Sequence, residues 1–547
     1  MLPSKGIANN FRFMVVQVTK QLEHALHLLD EPTAQISKSF LNADDYIDNQ
    51  KSRIETECFS FVRFNREADD RDVDFIRAIN VITGNLERIA DFAVNIVNQV
   101  RFLGDRKVLE DTDHRAYFSL LLKGMDLICN ALFERDSSLA LEICRAEDEL
   151  DKLYHDDFQR ILSALRSSED VGELVTLLFI LHYLERMGDA LLNIGEAILF
   201  AVLGERLKIR QYRALDAAIS STTTIERPLS EVEIASIWGT RSGLRVGVVQ
   251  DHEDSGATTK VLFKGGNPEK LQQEKENLER WGQIAPGLVP EVVEYRRKGR
   301  DAALLLEYID GNTVQDVVLN AEGDILQKIL ARIEETVRMM WTETRQEQRV
   351  NGHYLQQLRD RIDDVARLHS FIEDENISIG ELNVPSREQL LDAANEIDAE
   401  TDAPFSVFIH GDFNLDNIIY NRQNDTLHLV DVYRSRDMDY VQDVSVFLVS
   451  CYRLPVFEQD IRRNLEALSS EFLGFVRSFA REQGDATFEA RLTLGLVRSF
   501  ITSMRFELNR GFARSMYDRA ILLLTTLIDH KGKSLESFDI PDGVLAY

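Results

Sequence analysis

The stretch VFIHGDFNLDNIIY, residues 407–420, and the LHLVDVYRSRDMDYVQDVS that follows at 427–445 decide how this chain is read. An apolar run ends in His410-Gly411-Asp412. Asn417 comes five residues after Asp412, then a second apolar run, then Asp431. An Asp, an Asn and a second Asp at this spacing are what a phosphoryl-transfer site needs. One carboxylate takes up the proton of an acceptor hydroxyl. The amide oxygen and the other carboxylate hold the magnesium that neutralises charge on the phosphates.

Working outward, the totals bound the rest. A chain of 547 residues is too long for one core, so two or three domains are expected. A hydrophobic share of 44% is ordinary for a globular protein. The formal charge of -29 argues against nucleic acid or an anionic membrane surface as partners. It suits a soluble protein that attracts cations, with a solvated acidic surface as the plainer reading. Cys58, Cys129, Cys144 and Cys451 are scattered and form no CxxC, which disfavours a disulfide framework or a thiolate zinc site. The N-terminal MLPSKGIANNFRFMVVQ has no signal-peptide core, and the greasiest runs, 174–181 and 197–203, are too short to span a bilayer. A cytoplasmic location without a membrane span is therefore expected.

From about residue 11 to 203 the pattern is helical. Leu22, Ala25, Leu26 and Leu29 keep a three- and four-residue rhythm, as do Leu86, Ile89, Ala90 and Ala93. Helix upon helix implies a bundle. The segment also repeats itself: ADDYID at 43–48 matches AEDELD at 146–151, and LERIADFAVNI at 86–96 matches LERMGDALLNI at 184–194. Two matches in the same order, about a hundred residues apart, indicate a duplicated small bundle.

Each copy carries carboxylate pairs at i and i+4, namely Asp44/Asp48, Glu87/Asp91, Glu147/Asp151 and Glu185/Asp189. Residues four apart share a helix face, and like charges there repel by a few tenths of a kcal/mol. A cation held between facing helices would compensate. A solvated acidic face with Arg88 and Arg186 as local partners is the alternative.

These residues resemble a known family. Glu87-Arg88-Ile89-Ala90-Asp91 and Glu185-Arg186-Met187-Gly188-Asp189, each followed by Asn-Ile, look like the motifs of the phosphate-uptake regulator PhoU, over roughly residues 10–205. The resemblance implies two three-helix repeats, a regulatory role beside a phosphate-transport or signalling protein, and metal at Asp44, Asp48, Glu87, Asp91, Glu147, Asp151, Glu185 and Asp189, with iron among the options. The first copy departs by opening on Asp44 where the family has Glu.

Residues 206–231 are polar, β-branched and proline-containing, and read as a linker. A helix tail running into an ordered connector is the other reading. Beyond it, 244–249 and 259–264 read as strands, 269–281 as helix, and 304–311 as an apolar strand ending in a turn. Residues 325–396 read as helical and charged, 407–433 as two short strands around a turn, and helices finish the chain.

HGDxxxxN followed by a strand and Asp resembles the aminoglycoside phosphotransferases and choline kinases. Protein kinases have Arg where this chain has Gly411. The resemblance makes Asp412 the catalytic base, Asn417 and Asp431 magnesium ligands, and His410 structural. It also implies an aspartate that holds the catalytic loop, placed here at Asp443, with Met438 and Tyr440 where the family has Gly and Pro. A kinase-like small lobe must supply a lysine for the ATP phosphates and a glutamate to orient it. Lys264, with Lys260 second, and Glu274, with Glu276 second, fit those places. LLLEYIDG at 304–311 resembles the adenine-binding hinge, with Glu307 and Ile309 as main-chain contacts. Ser242 and Gly243, in the loop 239–243, are candidates for covering phosphate, although this is no Walker motif.

The expected fold class is therefore multidomain. An all-α duplicated three-helix bundle spans 10–205, a linker 206–231, and an α+β two-lobed protein-kinase-like domain 232–547. The expected activity is transfer of the γ-phosphoryl group of ATP, or GTP, to a hydroxyl of a small molecule, under control of the helical part. The competing reading is a regulator that binds nucleotide and metal without catalysis. The acidic chain hints at a cationic acceptor, and the oligomeric state is open, with a homodimer as one option.

Overall fold

The computed structural model describes residues 5–31, 38–65, 69–104, 107–110, 112–166, 171–205, 207–225, 227–229, 232–236, 244–252, 258–320, 323–372, 377–379, 382–541 and 543–546. The chain forms two compact units, Met1–Pro268 with Val293–Leu305, and Glu269–Val292 with Leu306–Tyr547.

The first unit opens with three long helices, α1 (Lys5–Asp30), α2 (Lys38–Phe64) and α3 (Asp70–Val100). A short α4 (Lys107–Glu110) leads to three more, α5 (His114–Phe133), α6 (Ser137–Leu165) and α7 (Val171–Leu203). The duplicated three-helix architecture read from the repeat is present. Asp69, Asp113 and Asp136 start α3, α5 and α6 by accepting first-turn backbone N–H groups. The rhythmic residues Leu22, Ala25, Leu29, Leu86, Ile89, Ala90 and Ala93 are buried, and α3 and α6 both pack along α7. Gly195 on α7 allows that approach, since a Cβ there would sit 3.0 Å from the Ala140 carbonyl oxygen on α6. The greasy runs 174–181 and 197–203 lie in α7. Among the described residues one helix, α5, is long and apolar enough to cross a membrane by length and composition; here its Phe118, Leu121 and Ile128 are buried and it packs on α6 and α7.

The stretch expected as a linker contains α8 (Ile209–Ile219), with Tyr212, Ala214, Leu215, Ala218 and Ile219 buried. Lys208 pairs with Glu196 at 3.1 Å and Arg213 with Asp148 at 2.9 Å, which ties the helix to α7 and α6. The connection is ordered at α8 because half of its residues are apolar at helical spacing. The Ser/Thr run only ends it. Strands follow: β1 (Glu233–Ser236), β2 (Arg245–His252), β3 (Thr258–Gly266), β4 (Val292–Lys298) and β5 (Asp301–Glu307), in the order β1-β2-β3-β5-β4. β2 and β3 are antiparallel, with Val248 opposite Leu262 and Val246 opposite Lys264. α8 packs on β3, and Val249, Val261, Phe263, Ala303 and Leu305 share one hydrophobic core with the bundle helices.

The second unit takes up α9 (Pro268–Ile284), then β6 (Asn312–Thr313), α10 (Val314–Asn320) and α11 (Gly323–Glu343). The region expected to be purely helical also holds short strands. These are β7 (Val350–Asn351), then, after α12 (Tyr354–Arg359) and α13 (Ile362–Leu368), the hairpin β8 (Ile377–Ile379) and β9 (Leu382–Val384). α14 (Arg387–Glu400) and β10 (Asp402–Ala403) follow, and β10 pairs with β7. Next come β11 (Val407–Ile409), β12 (Ile418–Asn421), β13 (Thr426–Leu429) and β14 (Arg436–Met438). Four helices close the unit, α15 (Val441–Tyr452), α16 (Gln459–Glu482), α17 (Phe488–Ser503) and α18 (Arg510–Asp529). Together the units show the helical bundle and the α+β kinase-like fold.

Candidate active site

β11 is fully buried and pairs antiparallel with β14, Val407 opposite Met438 and Ile409 opposite Arg436. The chain leaves β11 at His410, turns at Gly411, and reaches Asp412. Gly411 has φ 83°, and a Cβ there would lie 2.8 Å from the carbonyl carbon of Arg434. The turn therefore requires glycine, and no side chain of the protein-kinase kind fits.

Asp443, at the start of α15, accepts the N–H of His410 at 2.7 Å and of Gly411 at 2.8 Å. Burial pushes its pKa up to about 7, against the pull of those two N–H donors. His410 is fully buried. Its Nε2 donates to the Val430 carbonyl at 3.0 Å, and its Nδ1 accepts the Asp412 N–H at 3.2 Å. Burial lowers its pKa, so the ring stays neutral and acts as a spacer between the two strand ends.

Both Asp412 oxygens carry a donor. Asn414 Nδ2 reaches Oδ1 at 3.2 Å and Arg434 Nη1 reaches Oδ2 at 2.9 Å, which fixes the carboxylate's rotation. Asn417 Nδ2 donates to the Asp412 carbonyl at 2.9 Å, leaving the amide oxygen as its remaining polar atom. Val430 N–H closes on the Asn417 carbonyl at 3.0 Å and brings the strand end before Asp431 alongside. Asp431 itself is left-handed, φ 63° and ψ 46°, a conformation kept where the surroundings impose it. An amide oxygen and a carboxylate are hard ligands of the kind magnesium takes, so Asn417 and Asp431 suit that ion.

α9 braces the same turn. Asn277 Nδ2 donates to the Val432 carbonyl at 2.8 Å, Trp281 Nε1 to Ser435 Oγ at 3.0 Å, and Arg280 makes a two-pronged pair with Asp437 at 2.7 and 3.0 Å. Glu274, on the same helix, is fully buried. Lys264 is buried on β3 in the first unit. Glu307 ends β5, with its N–H on the Glu291 carbonyl at 2.9 Å, and Ile309 follows, half-buried. Ser242 and Gly243 lie outside the described residues.

Sequence reasoning passed over the arginines of this unit. Arg434 stands three residues after Asp431. Burial works against its charge, but Asp412, Tyr433 and Asp431 outweigh burial and hold its pKa above the ordinary value. Asp439 and Asp485, both fully buried, clamp the fully buried Arg491 at 2.8 and 2.6 Å. Tyr354 Oη adds a bond to Asp439 at 3.0 Å and Tyr440 Oη one to Asp485 at 2.6 Å. That network pins the β14–α15 corner to α12 and α17.

In the bundle, Glu87 pairs with Lys51 at 3.2 Å. Asp48 and Asp91 are exposed, and the side chain of Asp44 lies outside the described ones. In the second repeat Arg186 lies 3.3 Å from Glu185 and 2.8 Å from Asp189. Burial, then Asp151, Asp148 and Asp189, push Glu147 up to about 7. Burial and Asp189 raise Glu185 as well. Among the described residues no three His, Cys, Asp or Glu side chains converge to ligate one metal as they stand. Arg186 supplies the neutralising charge instead.

A duplicated carboxylate-bearing bundle joined to a kinase-like fold with an HGD turn defines a regulator–phosphotransferase fusion. A PhoU domain matches residues 11–100 and 117–198, and the phosphotransferase enzyme family matches 248–481. A phosphate-specific transport system accessory protein PhoU homolog of Zymomonas mobilis is 30% identical over 199 residues, covering 36% of this chain and 81% of that protein. Its counterpart in Clostridium acetobutylicum is 25% identical over 193 residues, covering 35% and 88%. An aminoglycoside-3'-phosphotransferase of type VIII is similar at 18% identity, 54% and 98% coverage and a TM-score of 0.34. The chain belongs to the PhoU family through its first part, and its second part carries a domain of the phosphotransferase enzyme family.

Proposed function

We propose that the second domain transfers the γ-phosphoryl group of ATP to a hydroxyl of a small molecule. The observation that carries this reading is the Asp412 turn, held by Asp443 and His410 with Asn417 alongside. Asp412, oriented by Asn414 and Arg434, takes the hydroxyl proton as the oxygen bonds to the γ-phosphorus and ADP leaves. Asn417 and Asp431 would hold magnesium, which supplies charge neutralisation on the phosphates. Lys264 and Glu274 would steady the ATP phosphates, with Ser242 and Gly243 over them, and main-chain groups of Glu307 and Ile309 would take adenine. Magnesium-dependent ATP turnover that Asp412→Asn abolishes supports the enzyme. Nucleotide binding with no turnover, and no effect of that substitution, would instead make the domain a sensor.

For the helical domain the proposal is regulation linked to phosphate homeostasis inside the cytoplasm, with a cation, iron or another metal, between Glu147, Asp151, Glu185 and Asp189 in place of Arg186. The raised Glu147 and Glu185 support it, because a cation would relieve the repulsion among them. Asp44, Asp48, Glu87 and Asp91 would form the equivalent site of the first repeat. Elemental analysis of the full chain before and after chelation tests it, and a metal-free protein that takes up none would refute it.

A further inference from the structure

The chain is strongly acidic, yet the surroundings of Asp412 are cationic. Arg498 lies on α17 and is 5% exposed, and its Nε and Nη2 are buried without a hydrogen-bond partner. Arg505 follows in the turn Met504–Phe506, with a buried Nε also lacking one. Arg361 immediately precedes α13, which packs on both α17 and that turn. Arg434 already touches Asp412 at 2.9 Å.

The four guanidinium groups share one electrostatic neighbourhood. Burial first, then Arg361 and Arg434, lower the pKa of Arg498 to about 10 and that of Arg505 in the same direction, opposed by Tyr354 and then Asp412 at Arg498 and by Asp364 and then Asp412 at Arg505. An arginine guanidinium in a protein keeps its charge near neutrality. The carboxylates at hand are already committed. Asp412 holds Arg434, Asp443 spends its two oxygens on backbone N–H groups, and Asp364 pairs with Arg367 at 3.1 Å. A buried guanidinium with unanswered N–H groups is costly, and its fork fits a carboxylate or phosphate two-pronged.

We propose that the phosphoryl acceptor carries an anionic oxygen group, a carboxylate or a phosphate, seated on Arg498 and flanked by Arg505 and Arg361, while its hydroxyl faces Asp412. This reverses the expectation of a cationic acceptor. The charge of -29 belongs to the whole chain, and the four arginines set the sign where the acceptor binds. The inference deepens the phosphotransferase reading and rests on it.

Two measurements on the full chain test it. The first is binding of glycolate and of inorganic phosphate by titration calorimetry. Wild type should bind at least one, and Arg498→Gln and the more exposed Arg505→Gln should each weaken it about tenfold or more. ATP affinity should hold within about threefold. No anion binding by wild type, binding indifferent to both substitutions, or loss of ATP affinity in its place overturns the proposal. The more exposed Arg505 keeps the test valid if the Arg498 variant fails to fold.

The second is turnover with magnesium-ATP on acceptors matched in size and differing in charge: glycerol, ethanolamine, glycerate and glycerol 3-phosphate. An anionic acceptor should lead, glycerate or glycerol 3-phosphate telling which group is read. Arg505→Gln should raise its KM about tenfold with kcat little changed. A lead for ethanolamine or glycerol overturns the proposal. Arginine-dependent anion binding without turnover on any acceptor, alike in wild type and Asp412→Asn, would instead refute the phosphotransferase reading and leave the anion seat standing.

Discussion

Gly411→Ala is the sharpest probe of the catalytic turn. The residue sits at φ 83°, where an L side chain costs roughly 1–2 kcal/mol. The new methyl would stand 2.8 Å from the Arg434 carbonyl carbon, against a comfortable carbon–carbon separation of about 3.5–4.0 Å. The obstacle is backbone, so one of the two strand ends must retreat by about 1 Å. That motion pulls on the His410 and Gly411 N–H bonds to Asp443 and on the Asp412–Arg434 pair. Losing one of the two N–H bonds to a buried carboxylate adds about 1.5–3 kcal/mol. A stability loss of about 3–5 kcal/mol in the second unit follows, with turnover down about a hundredfold from the misplaced Asp412.

The assays are urea unfolding followed by hydrogen exchange over 405–420, and ADP release with magnesium-ATP. Gly474→Ala is the control. That glycine lies within α16 with open space around it, so alanine should stabilise by about 0.4–1 kcal/mol. A Gly411→Ala protein with unchanged exchange at 405–420 and turnover within about threefold of wild type would refute the reasoning.

Other outcomes can be stated briefly. Arg491→Met leaves Asp439 and Asp485 buried without their shared cation and should cost about 3–5 kcal/mol in urea unfolding; a loss under about 1 kcal/mol would count against the clamp. Glu147 has a folded pKa of about 7 against an ordinary carboxylate value. Its contribution is therefore fully present below about 4.5 and lost as pH rises through about 7. With chelator present, Glu147→Gln should match wild type near about pH 5 and melt higher near about pH 8, and equal melting at both would refute the shift. Leu215→Ala on α8 should cost about 2–5 kcal/mol and loosen both the bundle and β3 in hydrogen exchange, and protection lost in the bundle alone would refute a common core.

What could be read from the sequence was local. The bundle announced itself through apolar rhythm and a repeat of whole motifs. The HGD turn announced itself because its strand, glycine and carboxylate are neighbours in the chain. The family resemblance also marked Asp443 as a support, twelve residues past Asp431 and just inside a helix. The arginine group was invisible for the opposite reason. Arg361, Arg434, Arg498 and Arg505 are scattered over some 140 positions, and each alone reads as an ordinary helix-surface cation. Only α13 packing on α17 brings Arg361 to the others. Asp439, Asp485 and Arg491 were hidden the same way. In α8, the apolar spacing was there to see, but the Ser/Thr run and Pro228 beside it argued for a loop and prevailed.

The position of α8 changes how regulation can be argued. A fusion alone says little about coupling, because two domains on a flexible tether can act independently. Here Tyr212, Leu215, Ala218 and Ile219 are buried in the same core as Val249, Val261 and Phe263, so the strand that carries Lys264 is packed together with the bundle. A fragment beginning near residue 225 would strip that face from β3 and expose Val261 and Phe263. Its failure would report on folding and say nothing of signalling. Coupling has to be sought by substitutions that leave the core intact. The pairs that anchor α8, Lys208 with Glu196 and Arg213 with Asp148, are suited to this, since they join the helix to α7 and α6 at its exposed edge. Glu147 immediately precedes Asp148 on α6. A change of charge at the second-repeat carboxylates therefore acts one residue from an ion pair that positions α8, and α8 lies against β3.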